Sequence, residues 1–60
     1  MNTIEAEVRI RASLIADDGQ NFSELLESTG LRNAVLGAVL SGLVASGAVR
    51  RSEHGSYYIR

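Results

Sequence analysis

The sixty-residue chain has no cysteine, no proline, no tryptophan and no lysine. Without cysteine there is no disulfide, no thiolate metal site and no thiol nucleophile. Without proline there is no proline-rich linker, and no repeat or low-complexity segment divides the chain. No apolar run approaches the roughly 18 residues needed to span a bilayer. The N-terminus carries Glu5 and Glu7 where a signal peptide would be basic and then apolar. A soluble cytoplasmic protein without a membrane partner is therefore expected. The single histidine, His54, has no partner at catalytic spacing, and Asp17-Asp18 lies where capping or solvation explains it. With no phosphate-cradling glycine loop and no metal-ligand spacing, the expectation is no catalytic residue, no metal, no cofactor and no enzyme.

What remains is an ordinary globular composition, 45% apolar, arranged as one domain over residues 1–60. A chain this short buries only about 60% of its unfolded surface, so its stability is marginal without a partner. Met1 and the short tails favour a complete chain over a module cut from a longer one. The net charge is −1, but it is unevenly spread. Residues 1–30 hold six carboxylates against Arg9 and Arg11, a net of −4, while residues 31–60 hold Arg32, Arg50, Arg51 and Arg60 against Glu53, a net of +3. All basic residues are arginine, which binds phosphate and guanine bidentately. The C-terminal half is thus the place to look for an anionic partner.

From Ile4 to Leu14 apolar and polar residues alternate as in a half-buried strand. Three features favour a helix over about 3–17. Asn2 with Glu5 reads as a capping box, Glu5–Arg9 and Glu7–Arg11 are i,i+4 pairs in the favourable direction, and Asp17-Asp18-Gly19 is a stop signal. On that helix Ile4, Val8, Ala12 and Ile15 form one stripe and Ala6, Ile10 and Leu14 another. The first is expected to face the core. The second would need a cover, and a second copy of the chain is the simplest, making Ala6, Ile10 and Leu14 the expected homodimer interface.

A second capping box, Asn21 with Glu24, starts helix 2 over about 22–29, and Gly30 ends it. Leu25 and Leu26 are expected inward, with Leu31 anchoring the turn. Helix 3 follows over about 32–46, with Leu36, Val39, Leu40 and Leu43 as its core stripe, and Gly47 caps it. The last residues alternate as a hairpin over about 48–60, with Val49, Tyr57 and Ile59 inward and His54-Gly55 in the turn. The expected fold is mainly α with a small antiparallel β-hairpin.

The run Phe22-Ser23-Glu24-Leu25-Leu26-Glu27-Ser28-Thr29-Gly30-Leu31, then Val39-Leu40 and Leu43, then Gly47-Ala48-Val49-Arg50-Arg51 and Gly55-Ser56-Tyr57-Tyr58-Ile59, resembles the winged helix-turn-helix domains of bacterial transcription regulators, especially the IclR and MarR types. With helix 1 the resemblance covers nearly the whole chain. It implies a three-helix winged helix-turn-helix that binds double-stranded DNA through helix 3 and the wing, as a homodimer regulating transcription. Arg32 and Asn33 open helix 3, the end that enters the major groove in such docking. Arginine pairs with guanine there and asparagine with adenine. Ser41, Arg50, Arg51, His54 and Tyr58 complete the expected DNA-contacting set, mostly to phosphate. Arg50 and Arg51 are adjacent on a strand and point to opposite faces, so one of them at most meets DNA.

The pattern departs from these families in one place. Their recognition helices usually expose Ser, Thr and Arg, whereas here the face reads Arg32, Asn33, Ala34, Gly37, Ala38 and Ser41. A face of small residues suits close packing against another protein, so the alternative reading is a winged-helix protein–protein interaction module without direct DNA readout. The acidic N-terminal half or the small face of helix 3 would then be the docking surface.

Overall fold

Two asparagines start the first two helices. In the computed structural model, which describes residues 2–60, the Asn2 side chain accepts the Glu5 backbone N–H at 2.8 Å and α1 runs Thr3–Ala16. The reciprocal half of the expected box is not made, because the Glu5 carboxylate turns to Arg9 at 3.6 Å instead. Among the described residues Glu7 and Arg11 form no ion pair, although their spacing allows one. Asn21 makes the full capping box with Glu24, both bonds at 2.9 Å, and opens α2, Phe22–Thr29. Gly30 ends it in the left-handed region (φ +70°) that a side chain would strain, its N–H reaching the Leu26 carbonyl.

The chain bends by 112° between α2 and α3 (Asn33–Ser46). That angle falls in the range of about 90–120° that defines a helix-turn-helix. Leu31, buried in the turn, holds the bend against the core. After α3, strands β1 (Val49–Arg51) and β2 (Tyr57–Ile59) pair antiparallel, Val49 opposite Ile59 and Arg51 opposite Tyr57. They are shorter than the sequence implies. The turn between them is closed by the Gly55 N–H on the Ser52 carbonyl at 3.0 Å, with Gly55 at φ +82°.

One piece of the sheet lies outside the hairpin. Gln20, between α1 and α2, bridges Tyr57: the Tyr57 N–H donates to the Gln20 carbonyl at 2.7 Å and the Gly19 N–H to the Tyr57 carbonyl at 3.0 Å. The Asp18 carboxylate also accepts the Ile59 N–H. The inter-helix segment thus joins the wing as a third, minimal strand. The architecture is a three-helix winged helix-turn-helix.

The core is made by Ala6, Ile10, Leu14, Leu25, Leu31, Leu36, Leu40, Leu43 and Val49, with Leu26, Val39, Tyr57 and Ile59 packed on it half-buried. This reverses the expectation for α1. Ala6, Ile10 and Leu14, expected at a homodimer interface, are fully buried inside the protomer, whereas Ile4, Val8 and Ile15 of the stripe expected inward are 71%, 60% and 73% exposed. The physical reason lies in the flanking residues. Arg9 and Ser13 border the buried stripe, and both are satisfied on α2: Arg9 Nη1 donates to the Thr29 carbonyl at 3.2 Å, and the Ser13 and Ser28 hydroxyls bond each other. Turning the other stripe inward would aim these polar groups away from their partners.

Candidate nucleic-acid interface

The start of α3 differs from the other two helix starts. Arg32 is its N-cap residue, with no side-chain hydrogen bond to the first turn, and no acidic residue lies in that turn. By contrast α1 and α2 begin with an asparagine cap and a glutamate. Three backbone N–H groups, on Asn33, Ala34 and Val35, therefore stay without an intrahelical acceptor or a capping side chain at the positive end of the α3 dipole. Arg32 and Asn33 are exposed beside them, and Asn33 is the first helical residue rather than the cap.

Further along α3 the exposed positions are Ala34, Val35, Ala38, Ser41, Gly42, Ala45 and Ser46, all small but Val35. Ser41 shares a groove of about 290 Å³ with Gly37, Val44 and Ala45 of α3, Phe22 of α2, and Arg51 and Tyr57 of the wing. Strand alternation decides which arginine takes part. Arg51 lies on the face of β1 that carries Val49, toward α3, while Arg50 lies on the reverse face. There the Arg50 guanidinium stands 4.8 Å over the Tyr58 ring, and the ring in turn lies against Gly19. His54 sits at the wing tip, almost wholly exposed, its Nε2 3.8 Å from the Glu53 carboxylate.

The expected DNA-contacting residues thus fall into separate groups. Arg32 and Asn33 mark the start of α3. Ser41 and Arg51 come together about 12 Å further along the helix axis, at 1.5 Å per residue. Arg50 and Tyr58 form a stacked pair on the far side of the hairpin, and His54 stands at the tip. Among the described residues the ion pairs within 4.0 Å are Glu5–Arg9 and Glu53–His54. Arg32, Arg50, Arg51 and Arg60 therefore have no carboxylate partner.

No match was found. The comparisons with protein-family models, curated proteins and solved structures each returned none. The winged helix is established by its own geometry.

Sequence reasoning passed over three contributors. Phe22 and Tyr57 form the apolar floor of the groove beside Arg51; their inward periodicity was the available signal. Gln20, 4% exposed, had no local signal at all. Its side chain donates to Ser13 of α1 and to Asp17 at the α1 C-cap and accepts from Ser28 on α2, fixing the segment that the wing pairs with.

Proposed function

We propose that this protein is a small DNA-binding regulator of transcription that acts in the cytoplasm as a homodimer, with α3 and the wing against double-stranded DNA. The observation that carries this reading is the set of unpaired arginines beside an uncapped α3. Arg32 and Arg51 have no carboxylate within 4.0 Å, and both flank the helix that a helix-turn-helix lays in the major groove. Free N–H groups at the α3 start suit a phosphate oxygen, and Arg32 adds a full positive charge there.

In this reading Arg32 and Asn33 meet phosphate and base edges at the groove entrance, Ser41 and Arg51 meet the backbone, and His54 reaches the flanking phosphates or minor groove. Arg50 and Tyr58 brace the hairpin from behind, so Arg50 contributes less than Arg51. Small side chains on α3 offer few donors to base edges, so affinity is dominated by phosphate and sequence discrimination is low. The role is binding, without catalysis or cofactor. The likeness to IclR-type and MarR-type regulators fits this assignment.

The small exposed face, Ala34, Ala38, Ser41, Gly42 and Ala45, favours a second reading, a module that packs α3 against another protein. Fluorescence anisotropy with random duplex DNA separates the two. The DNA reading expects binding that weakens between about 50 and 200 mM salt and weakens again in Arg32→Ala and Arg51→Ala. Absence of binding at low salt with tens of micromolar protein contradicts it and favours the protein-interaction reading.

A further inference from the structure

Of the four exposed large hydrophobic residues among those described, three, Ile4, Val8 and Ile15, lie on one stripe of α1. Ile4, Val8 and Ile15 are 71%, 60% and 73% exposed, and Ala12 continues the same line. Their spacing of four, four and three residues keeps all four on one helical face. That face is turned directly away from the core contacts of Ala6, Ile10 and Leu14. Together the three residues expose roughly 300–400 Å² of surface, the scale of the largest apolar patch on a typical monomer, which is often functional.

We infer that this stripe is the homodimer contact, made by two α1 helices packed antiparallel about a twofold axis. The arrangement deepens the homodimer part of the proposed function but does not depend on DNA binding. An axis near residues 9–10 sets Ile4 of one copy against Ile15 of the other and Val8 against Ala12, so each large side chain meets either another at the ends or a small one near the middle. The same register places Glu7 opposite Arg11 of the second copy, twice. Among the described residues these two form no ion pair, although Glu5 and Arg9 on the other flank of α1 do. Their charges are opposite and they lie on one flank of the stripe, which two antiparallel copies bring face to face; a parallel pair would instead set that flank against the Glu5–Arg9 flank of the second copy, whose charges already pair within one chain. The contact is smaller than the roughly 800 Å² per partner of a standard stable interface, so the dimer is weak and exchanging.

Sedimentation of the DNA-free protein from about 10 µM to about 1 mM, the range where a contact this small associates, tests the proposal. The 6.4 kDa chain is expected to shift toward twice its mass as concentration rises. Val8→Glu is expected to stay monomeric over the whole range. Because Val8 is exposed, its circular dichroism and melting profile should remain those of a folded chain. Glu7→Arg and Arg11→Glu should each weaken association several-fold, and the double exchange should restore it. A wild-type monomer at about 1 mM, or an undiminished dimer in Val8→Glu, overturns the interface. Single exchanges without effect, or a double exchange that fails to restore association, overturn the antiparallel register. DNA titration of Val8→Glu reports separately on the DNA reading, since that variant leaves α3 and the wing untouched.

Discussion

Replacing Gln20 with alanine should bring this domain close to the edge of folding. Gln20 is 4% exposed, and its amide nitrogen donates to the Ser13 carbonyl at 2.8 Å, the Ser13 hydroxyl at 2.9 Å and the Asp17 carbonyl at 2.7 Å. Its amide oxygen accepts the Ser28 hydroxyl at 2.9 Å. Since Ser28 gives its proton to Gln20, Ser13 must donate to Ser28, and the three side chains close a ring in which every bond polarises the next. Truncation removes all four contacts with Gln20. Ser13 and Ser28 can still bond each other, and the Ser13 carbonyl keeps the Asp17 N–H at 2.9 Å, so part of the loss is recovered. With each net hydrogen bond contributing about 0.5–1.5 kcal/mol, the expected cost is about 2–3 kcal/mol. A domain of this length has only about 3–9 kcal/mol in total. Urea unfolding followed by far-ultraviolet circular dichroism should show a lower midpoint at unchanged slope. Ser28→Ala should cost about 1 kcal/mol, and the double variant should cost less than the sum of the singles, because the ring is already broken. Gln20→Glu sharpens the test. Ionised, its carboxylate would face the Ser13 and Asp17 carbonyls, so its stability deficit against wild type should be small at acid pH and grow as pH rises above the ordinary glutamate range. A cost below about 0.5 kcal/mol for Gln20→Ala, the level of an ordinary surface change, would refute this account.

Glycine exchanges should separate in sign. Gly19 has φ +80°, and a Cβ there would lie 3.0 Å from the Tyr58 ring, so Gly19→Ala should destabilise by about 1–3 kcal/mol through strain and displacement of the ring. Gly42 is helical with open space around it, so Gly42→Ala should stabilise by about 0.5–1 kcal/mol in the same urea assay. Arg9→Met keeps the side-chain stem but loses the bond to the Thr29 carbonyl and the charge at the α2 C-terminus. It should lower stability by about 1 kcal/mol, with a smaller difference in high salt; equal loss at all salt concentrations would point to packing instead.

How much of this was legible in the sequence depends on how local each determinant is. The helix starts at Asn2 and Asn21 and the stops at Gly30 and Gly47 are settled within one turn of chain, and they fall where the sequence implies. The inward face of α1 is not local. Both stripes are apolar and lie on opposite sides of the helix, so periodicity alone gives no preference. The choice is made by α2, which supplies partners for Arg9 and Ser13. Gln20 is the extreme case, since its partners come from two helices and its backbone pairs with a strand 37 residues later. At the candidate site, strand alternation already separated Arg50 from Arg51. Which of them joins Ser41 was decided by the wing lying along α3, a tertiary fact.

The central claim is that α3 and the inner face of the wing meet DNA phosphates, with Arg51 rather than Arg50 in contact. The most direct test is the salt dependence of duplex binding for wild type, Arg51→Ala and Arg50→Ala. The logarithm of the binding constant falls by about 0.9 per phosphate contact for each unit of log salt. Arg51→Ala should therefore reduce the slope by about one and weaken binding to all sequences alike, while Arg50→Ala leaves the slope near that of wild type. Equal slopes for all three proteins, or a slope lost only in Arg50→Ala, would contradict the account.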